Sequence, residues 1–238
     1  MTATKKPEIL FKGIEDYASD EYIAPFTIAI GGLPGSGKTT LALSMAERMP
    51  VYFLETEDRF GYIAKKLHKQ LPGAERIFAA RVGNWADILA ALSIIKSVTK
   101  DNDPKNRGCI VLDSGTDFKN YADAEWRRTS KVHPPVNWSK MYKMMNEVVK
   151  GIKRIGLSVI FTNRVKPEYD SQGNVTGNLR FDAYKNQIDL TEVAIMIGKD
   201  YSLEIIKNSW HDALHYGADS QSINRDMTLP AIIDILQK

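Results

Sequence analysis

Phe26-Thr27-Ile28-Ala29-Ile30-Gly31-Gly32-Leu33-Pro34-Gly35-Ser36-Gly37-Lys38-Thr39-Thr40 is the stretch on which the fold turns. Phe26–Gly31 is an apolar run of strand length, and KTTLALSMAERM from Lys38 has the composition of a helix. Between them Gly32–Thr39 fills the pattern G-x-x-x-x-G-K-[ST] completely. A glycine-rich turn from strand to helix lets successive backbone N–H groups curl around phosphate oxygens, while the positive end of the helix faces the same point. Gly32, Leu33, Pro34, Gly35, Ser36 and Gly37 are therefore expected to cradle phosphate. Lys38 would reach the β- and γ-phosphates, the Thr39 hydroxyl would ligate Mg²⁺, and Thr40 would contact the neighbouring phosphate region. GGLPGSGKTT contains no G-x-G-x-x-G, so the pattern favours a nucleoside triphosphate over a dinucleotide.

Outward from this cradle, apolar runs of strand length alternate with longer periodic segments, the pattern of a parallel sheet with helices on both faces. Strands are expected at Phe26–Gly31, Val51–Leu54, Arg76–Arg81, Cys109–Asp113, Leu157–Asn163, Thr191–Gly198 and Leu203–Lys207. Helices are expected at Lys38–Arg48, Arg59–Gln70, Trp85–Val98, Trp138–Ile155 and Leu229–Leu236. DNDPKN, with Pro104, reads as a surface connector. Arg164–Phe181, with DSQGN and TGN, reads as a mobile loop or a hairpin turning near Gly173. The predicted organisation is an N-terminal extension, 1–25, followed by a single α/β domain, 26–238.

Two acidic strand ends accompany the cradle. Cys109-Ile110-Val111-Leu112-Asp113-Ser114 has the form of a buried strand whose carboxylate emerges beside bound phosphate, where Asp113 would hold Mg²⁺ through water. Val51-Tyr52-Phe53-Leu54-Glu55-Thr56-Glu57-Asp58 follows the cradle helix and ends in three acids within four residues. Hydrolysis of a γ-phosphate needs a group that orients or deprotonates water, and Glu57 is the first choice, with Glu55 the alternate. The competing reading is that Glu57 and Asp58 merely begin the next helix with favourable dipole charges.

The whole chain has 238 residues, 43% hydrophobic and 26% charged, which excludes global disorder. Its formal charge of +3 is unevenly spread: residues 119–166 hold 11 Lys/Arg against three Asp/Glu. Within that stretch Met141, Met145, Val148, Ile152 and Ile155 make an apolar stripe, and Lys140, Lys143, Lys150, Lys153 and Arg154 fall opposite with Asn146 and Glu147. That face is either a solvated helix surface or a binding face for a polyanion. A single cysteine, Cys109, excludes an intrachain disulfide. MTATKKPEILFKG has no signal-peptide core, and no run of about 18 apolar residues suggests a membrane span. A soluble, cytoplasmic protein without a membrane partner is expected.

GGLPGSGKTT, VYFLETED and CIVLDS, with VIFTNRV on a later strand, together resemble the ATPase core of the RecA superfamily over about Phe26–Lys207. The resemblance implies a RecA-like P-loop NTPase core with a mostly parallel central sheet flanked by helices. It implies ATP and Mg²⁺ as cofactors, and Glu57 as the acid that activates water. It also implies a γ-phosphate sensor at the end of the later strand, where Thr162-Asn163-Arg164 resembles the T-N-Q pattern of eukaryotic and archaeal recombinases. Asn163 and Arg164 are thus nucleotide-contact candidates, with Arg in place of the usual Gln. The short chain looks like the minimal phage and viral members, such as the Sak-type single-strand annealing recombinases.

In those relatives the loops after the Asp113-type and Asn163-type strands face DNA. They correspond here to Ser114–Val136, with Lys119, Arg127, Arg128, Lys131, His133 and the rings of Phe118, Tyr121 and Trp126, and to Arg164–Gln187, with Lys166, Tyr169, Arg180, Phe181 and Lys185. Basic side chains there could follow phosphates while rings support bases. Relatives also place a basic residue that reaches a neighbour's ATP in the region of Lys207, which makes it a candidate charge stabiliser across a homo-oligomer interface. The resulting expectation is a Mg²⁺-dependent ATPase acting on single-stranded DNA in recombination or annealing, with ATP between subunits. Two rivals stay open: a nucleotide-responsive interaction module of the KaiC-like or helicase-loader type, and a small-molecule kinase.

Overall fold

The computed structural model describes residues 24–100, 108–130, 138–184, 187–210 and 226–237. The expected N-terminal extension falls almost wholly outside them, as do Lys131, His133 and Lys185. The described strands are β1 (Thr27–Gly32), β2 (Val51–Glu55), β3 (Ile77–Arg81), β4 (Cys109–Asp113), β5 (Ser158–Asn163), β6 (Val165–Tyr169), β7 (Val175–Phe181), β8 (Val193–Ile197) and β9 (Leu203–Asn208). The helices are α1 (Lys38–Leu43), α2 (Phe60–Leu67), α3 (Trp85–Thr99), α4 (Gly115–Thr129), α5 (Ser139–Arg154) and α6 (Leu229–Leu236). The sheet runs β3-β2-β4-β5-β1-β8-β9, parallel throughout except for the antiparallel β8–β9 pair. This is the expected α/β architecture, a mostly parallel seven-stranded sheet flanked by helices.

Strands buried on both faces read as continuous apolar runs, and the two-residue period sends alternate side chains to opposite layers. Val51, Phe53, Val111, Ile160 and Ile195 pack with α1 and α6 in one layer. Tyr52, Leu54, Ile110, Leu112, Val159 and Phe161 pack with α3, α4 and α5 in the other. The single cysteine, Cys109, is fully buried in the first layer. Among the described residues no helix is long and apolar enough to cross a membrane.

Three elements depart from expectation. The cradle helix ends at Leu43 and tightens into a 3₁₀ turn, Ser44–Glu47. There the Ser44 hydroxyl donates back to the Leu41 carbonyl (2.7 Å) and accepts from the Leu229 N–H (2.8 Å), so the docking of α6 competes with continued α-helix. In α5 the buried stripe is Met141, Met145, Val149 and Ile152, with Val148 only partly buried. The residues after Asp113, read as a loop, form the 15-residue helix α4. Ser114 accepts from the Asp117 N–H (3.2 Å) as its N-cap, and Phe118, Ala122 and Trp126 at four-residue spacing enter the core. Arg164–Phe181 takes the hairpin form, β6 pairing with β7 around a Gly173 of positive φ.

Candidate functional site

The register of the sheet assembles the site. Glu55 pairs with Asp113 and Asp113 with Thr162, so the three side chains stand in one row across β2, β4 and β5, on the layer that holds α1. Ile30 extends the row on β1, pairing with Thr162, two residues before the cradle begins. Gly35 (φ 80°) and Gly37 (φ 92°) adopt the left-handed conformations that let the loop turn from β1 into α1, a region costly for side chains bearing a Cβ.

At the mouth of the cradle the Thr39 hydroxyl donates to Asp113 Oδ2 (2.8 Å), and the Thr162 hydroxyl donates to Asp113 Oδ1. Burial pushes the Asp113 carboxyl above the usual carboxylate range, and the two hydroxyls, with Lys38 nearby, pull against that rise. Lys38 folds over the loop, its Nζ donating to the carbonyls of Gly32 (2.9 Å) and Leu33 (2.8 Å). Burial lowers its ammonium pKa, opposed by the charges of Asp113 and Glu57. A cavity of about 250 Å³ opens among Lys38, Thr39, Glu57, Asp113 and Arg164.

Glu57 stands at the rim of this cavity and Glu55 at its floor. Glu55 is buried, and its carboxylate accepts from the Arg59 backbone N–H, which ties it to the start of the following segment. Glu57 is held from both sides: Oε1 accepts from Arg164 Nη2 (2.7 Å), and Oε2 lies 3.3 Å from Arg59 Nη1. Arg164 also reaches Asp117 Oδ2 (3.2 Å), and Asp117 in turn accepts from the hydroxyls of Ser114 (2.8 Å) and Thr56 (2.9 Å). One guanidinium, on the residue between β5 and β6, therefore joins the segment after β2 to the first turn of α4.

Thr162, which the sequence alone did not single out, joins the candidate site through its hydrogen bond to Asp113. Asn163, expected as the polar sensor, is fully buried on the opposite layer, where its Oδ1 accepts from Gln187 (3.0 Å). Strand parity could have found this: counting back in twos from Asp113 and from Thr162 reaches Val111 and Ile160, whereas Asn163 shares parity with Phe161 and Val159.

The other predicted residues lie apart from the cradle. Lys207 pairs with Ala194, near the start of β8, whereas the cradle grows from the far end, where Gly32 pairs with Ile197. Its Nζ donates to the carbonyls of Ile188 (3.0 Å) and Asp189 (3.1 Å). Arg127 and Arg128 lie on the last turn of α4, not on a loop. They are paired with Asp123 (2.9 Å) and Glu125 (2.7 Å), and Arg127 also covers Trp138. Lys119 and Lys166 share Asp182, at 3.4 and 2.9 Å. Phe118 and Trp126 are core residues, and Phe181 packs against Gly31. Arg180 and Tyr169 are exposed on the hairpin. On α5, Glu147 lies within ion-pair distance of Lys150 (3.9 Å) and Arg154 (3.8 Å), and Lys153 bonds Glu192 (2.6 Å).

Among known sequences, the AAA domain family matches residues 24–205. No curated protein matches the chain. Among solved structures, a KaiC-like protein from the hyperthermophilic archaeon Pyrococcus horikoshii OT3 is similar at 15% identity, over 77% of this chain and 79% of that one, with a TM-score of 0.46.

Proposed function

The chain belongs to the AAA domain family, and from that premise we propose that it binds ATP with Mg²⁺ at the cradle and hydrolyses it. The observation that carries the reading is the Thr39–Asp113 contact at 2.8 Å, with Lys38 behind it and Glu57 across the cavity. A hydroxyl and a carboxylate oxygen side by side suit Mg²⁺, a hard cation that takes few protein ligands and keeps several waters. When bound there, the ion would neutralise charge developing on the phosphate oxygens.

The chain's own groups do the rest. Lys38 exchanges the Gly32 and Leu33 carbonyls for phosphate oxygens, a short swing of a side chain already folded over the loop. Glu57 accepts a proton from the attacking water through a carboxylate oxygen. Arg164 fixes that carboxylate, and its charge lies close enough to the cavity to balance a phosphate as well. Asn163 contributes from beneath, through the packing of α4, rather than by touching the nucleotide.

Single-stranded DNA is the effector we assign to this activity, in an annealing or recombination role and with copies of the chain meeting around ATP. What supports it is the resemblance of the motifs and the exposed hairpin bearing Arg180. The pairing of Arg127, Arg128 and Lys166 with acids leaves them weaker support than their number suggests. The test is phosphate release from ATP with Mg²⁺, with and without single-stranded DNA, beside Lys38→Ala and Glu57→Gln. Turnover abolished in both variants and raised by DNA in the parent is the expected result. Turnover that DNA leaves unchanged removes the DNA role and directs the search to a protein partner, and turnover that survives Lys38→Ala removes the cradle.

A further inference from the structure

Helix α2 follows closely on Glu57 and Asp58, and its two sides have opposite chemistry. Leu67 is buried in the layer that holds α1, and Leu71, one turn on, packs against the same cluster. At about 100° per residue, Arg59, Tyr62, Lys65 and Lys66 fall within one sector of about 120° on the side away from those leucines, and Lys69 continues it in the turn that follows. We infer that this face of α2 is a binding surface for single-stranded DNA, on which phosphates meet the cations and a base stacks on the ring of Tyr62. The inference rests on the reading of single-stranded DNA as the effector and names the surface that holds it.

Charge and exposure mark this face out. Tyr62 is 77% exposed, more than any other large apolar side chain among the described residues. Lys65, Lys66 and Lys69 are exposed and have no ion pair among the described residues, whereas Lys119, Arg127, Arg128 and Lys166 are already answered by acids. The sector carries no acid. Asp58, just before the helix, is engaged with Arg81 (3.2 Å), and Glu57 with Arg59 and Arg164. The basic stripe of α5, by contrast, has Glu147 in its midst. Unanswered cations around an exposed ring suit a single strand, whose backbone is charged at every nucleotide and whose unpaired bases offer flat faces. A duplex keeps those faces in its stack and would meet the cations alone. From Arg59 to Lys69 the surface runs about 15 Å at about 1.5 Å per residue, room for a short run of nucleotides.

The same face reaches the charged cavity. Arg59 borders that cavity, its Nη1 lies 3.3 Å from Glu57 Oε2, and Glu57 Oε1 is taken by Arg164 (2.7 Å). Guanidinium groups therefore cap both oxygens of the carboxylate that is to accept a proton from water. A DNA phosphate that draws Arg59 away frees Oε2 for that proton, while Arg164 keeps the carboxylate in place. The Arg59 side chain is 70% exposed, so it turns from one anion to the other without repacking the core. Binding on α2 thereby raises turnover through the movement of one side chain.

Fluorescence anisotropy of a labelled oligothymidylate, titrated with the full chain at several salt concentrations, tests the surface without relying on turnover. The triple variant Lys65→Gln, Lys66→Gln, Lys69→Gln keeps helix propensity and should flatten the slope of log affinity against log salt by about 2, at about 0.7 per phosphate contact. Tyr62→Ala should weaken binding about tenfold, and Tyr62→Phe should hold parental affinity. A duplex of the same length should bind Tyr62→Ala and the parent alike. These side chains are exposed, so parental thermal midpoints show that the variants are folded. In phosphate release from ATP, Arg59→Gln should raise the DNA-free rate toward the DNA-stimulated rate of the parent. Parental binding in both the triple variant and Tyr62→Ala overturns the inference; if Arg180→Gln alone then loses affinity, the strand lies on the hairpin and the effector reading stands. A DNA-free rate that is unchanged or lowered in Arg59→Gln overturns the release of Glu57. A parent that does not bind the oligothymidylate refutes the effector reading itself and the surface with it, a failure distinct from the others.

Discussion

Thr162→Val removes one hydroxyl and almost nothing else. Valine is isosteric and equally at home in a strand, and the site is fully buried, so neither a cavity nor a propensity change enters. What is lost is the hydrogen bond to Asp113 Oδ1, leaving the carboxylate with the Thr39 hydroxyl on its other oxygen. A bond to a charged acceptor is worth about 1.5–3 kcal/mol, so we expect about 2 kcal/mol of destabilisation at neutral pH without Mg²⁺. In a domain of this size that lowers the thermal midpoint by about 4–8 °C. Urea unfolding of Thr162→Val, Asp113→Asn and the double variant forms a cycle that isolates the pair. With a neutral amide as acceptor, Thr162→Val should cost only about 1 kcal/mol. A loss in the single variant below about 0.5 kcal/mol, or the same loss in both backgrounds, refutes the idea that Thr162 serves the charge of Asp113.

Other outcomes follow from the same geometry. Arg164→Gln unties Glu57 from Asp117 and should lower turnover more than ATP affinity; parental turnover would show that the guanidinium is a bystander. Burial pushes the Cys109 thiol up to about 12, so it should resist alkylation at pH 8.5 until the chain unfolds. Because the unfolded thiol ionises first, the native state holds the extra proton, and stability should fall from about pH 9 toward 12, by up to about 1.4 kcal/mol per pH unit from this group. Cys109→Ala should flatten that slope, and an unchanged slope would assign it elsewhere. Ile232→Ala, in the buried face of α6, should cost about 2–5 kcal/mol. Arg48→Ala, which breaks an ion pair to the same helix at an exposed edge, should cost less than about 1 kcal/mol; denaturation midpoints in the reverse order would contradict the burial argument.

The cradle and Asp113 were legible because their signals are local: a contiguous motif, and an apolar strand ending in an acid. Helix α4 was not, although its cues were present. Its polar surface and clustered Arg and Trp read as a binding loop, and only Ser114 with Asp117 three residues on, followed by Phe118, Ala122 and Trp126, marked a capped amphipathic helix. Its arginines are satisfied by acids three and four residues earlier, a spacing visible in the sequence once a helix is assumed. Asn163 was misplaced for a different reason: matching a tripeptide pattern ignores which layer each strand residue faces. The Arg164–Glu57 contact joins residues 107 apart and depends on strand order, which local pattern cannot supply.

The row Glu55–Asp113–Thr162 also says how such a site can change over time. Its alignment is quantised, since a strand can slip only by whole residues and each single step turns every side chain over. One residue gained or lost within Cys109–Asp113 would present Leu112 or Ser114 where the acid now stands, with no intermediate of partial function. Turns and connectors that do not alter strand register are free of that penalty. Variation in length should therefore collect between the strands, while the strands themselves keep their count.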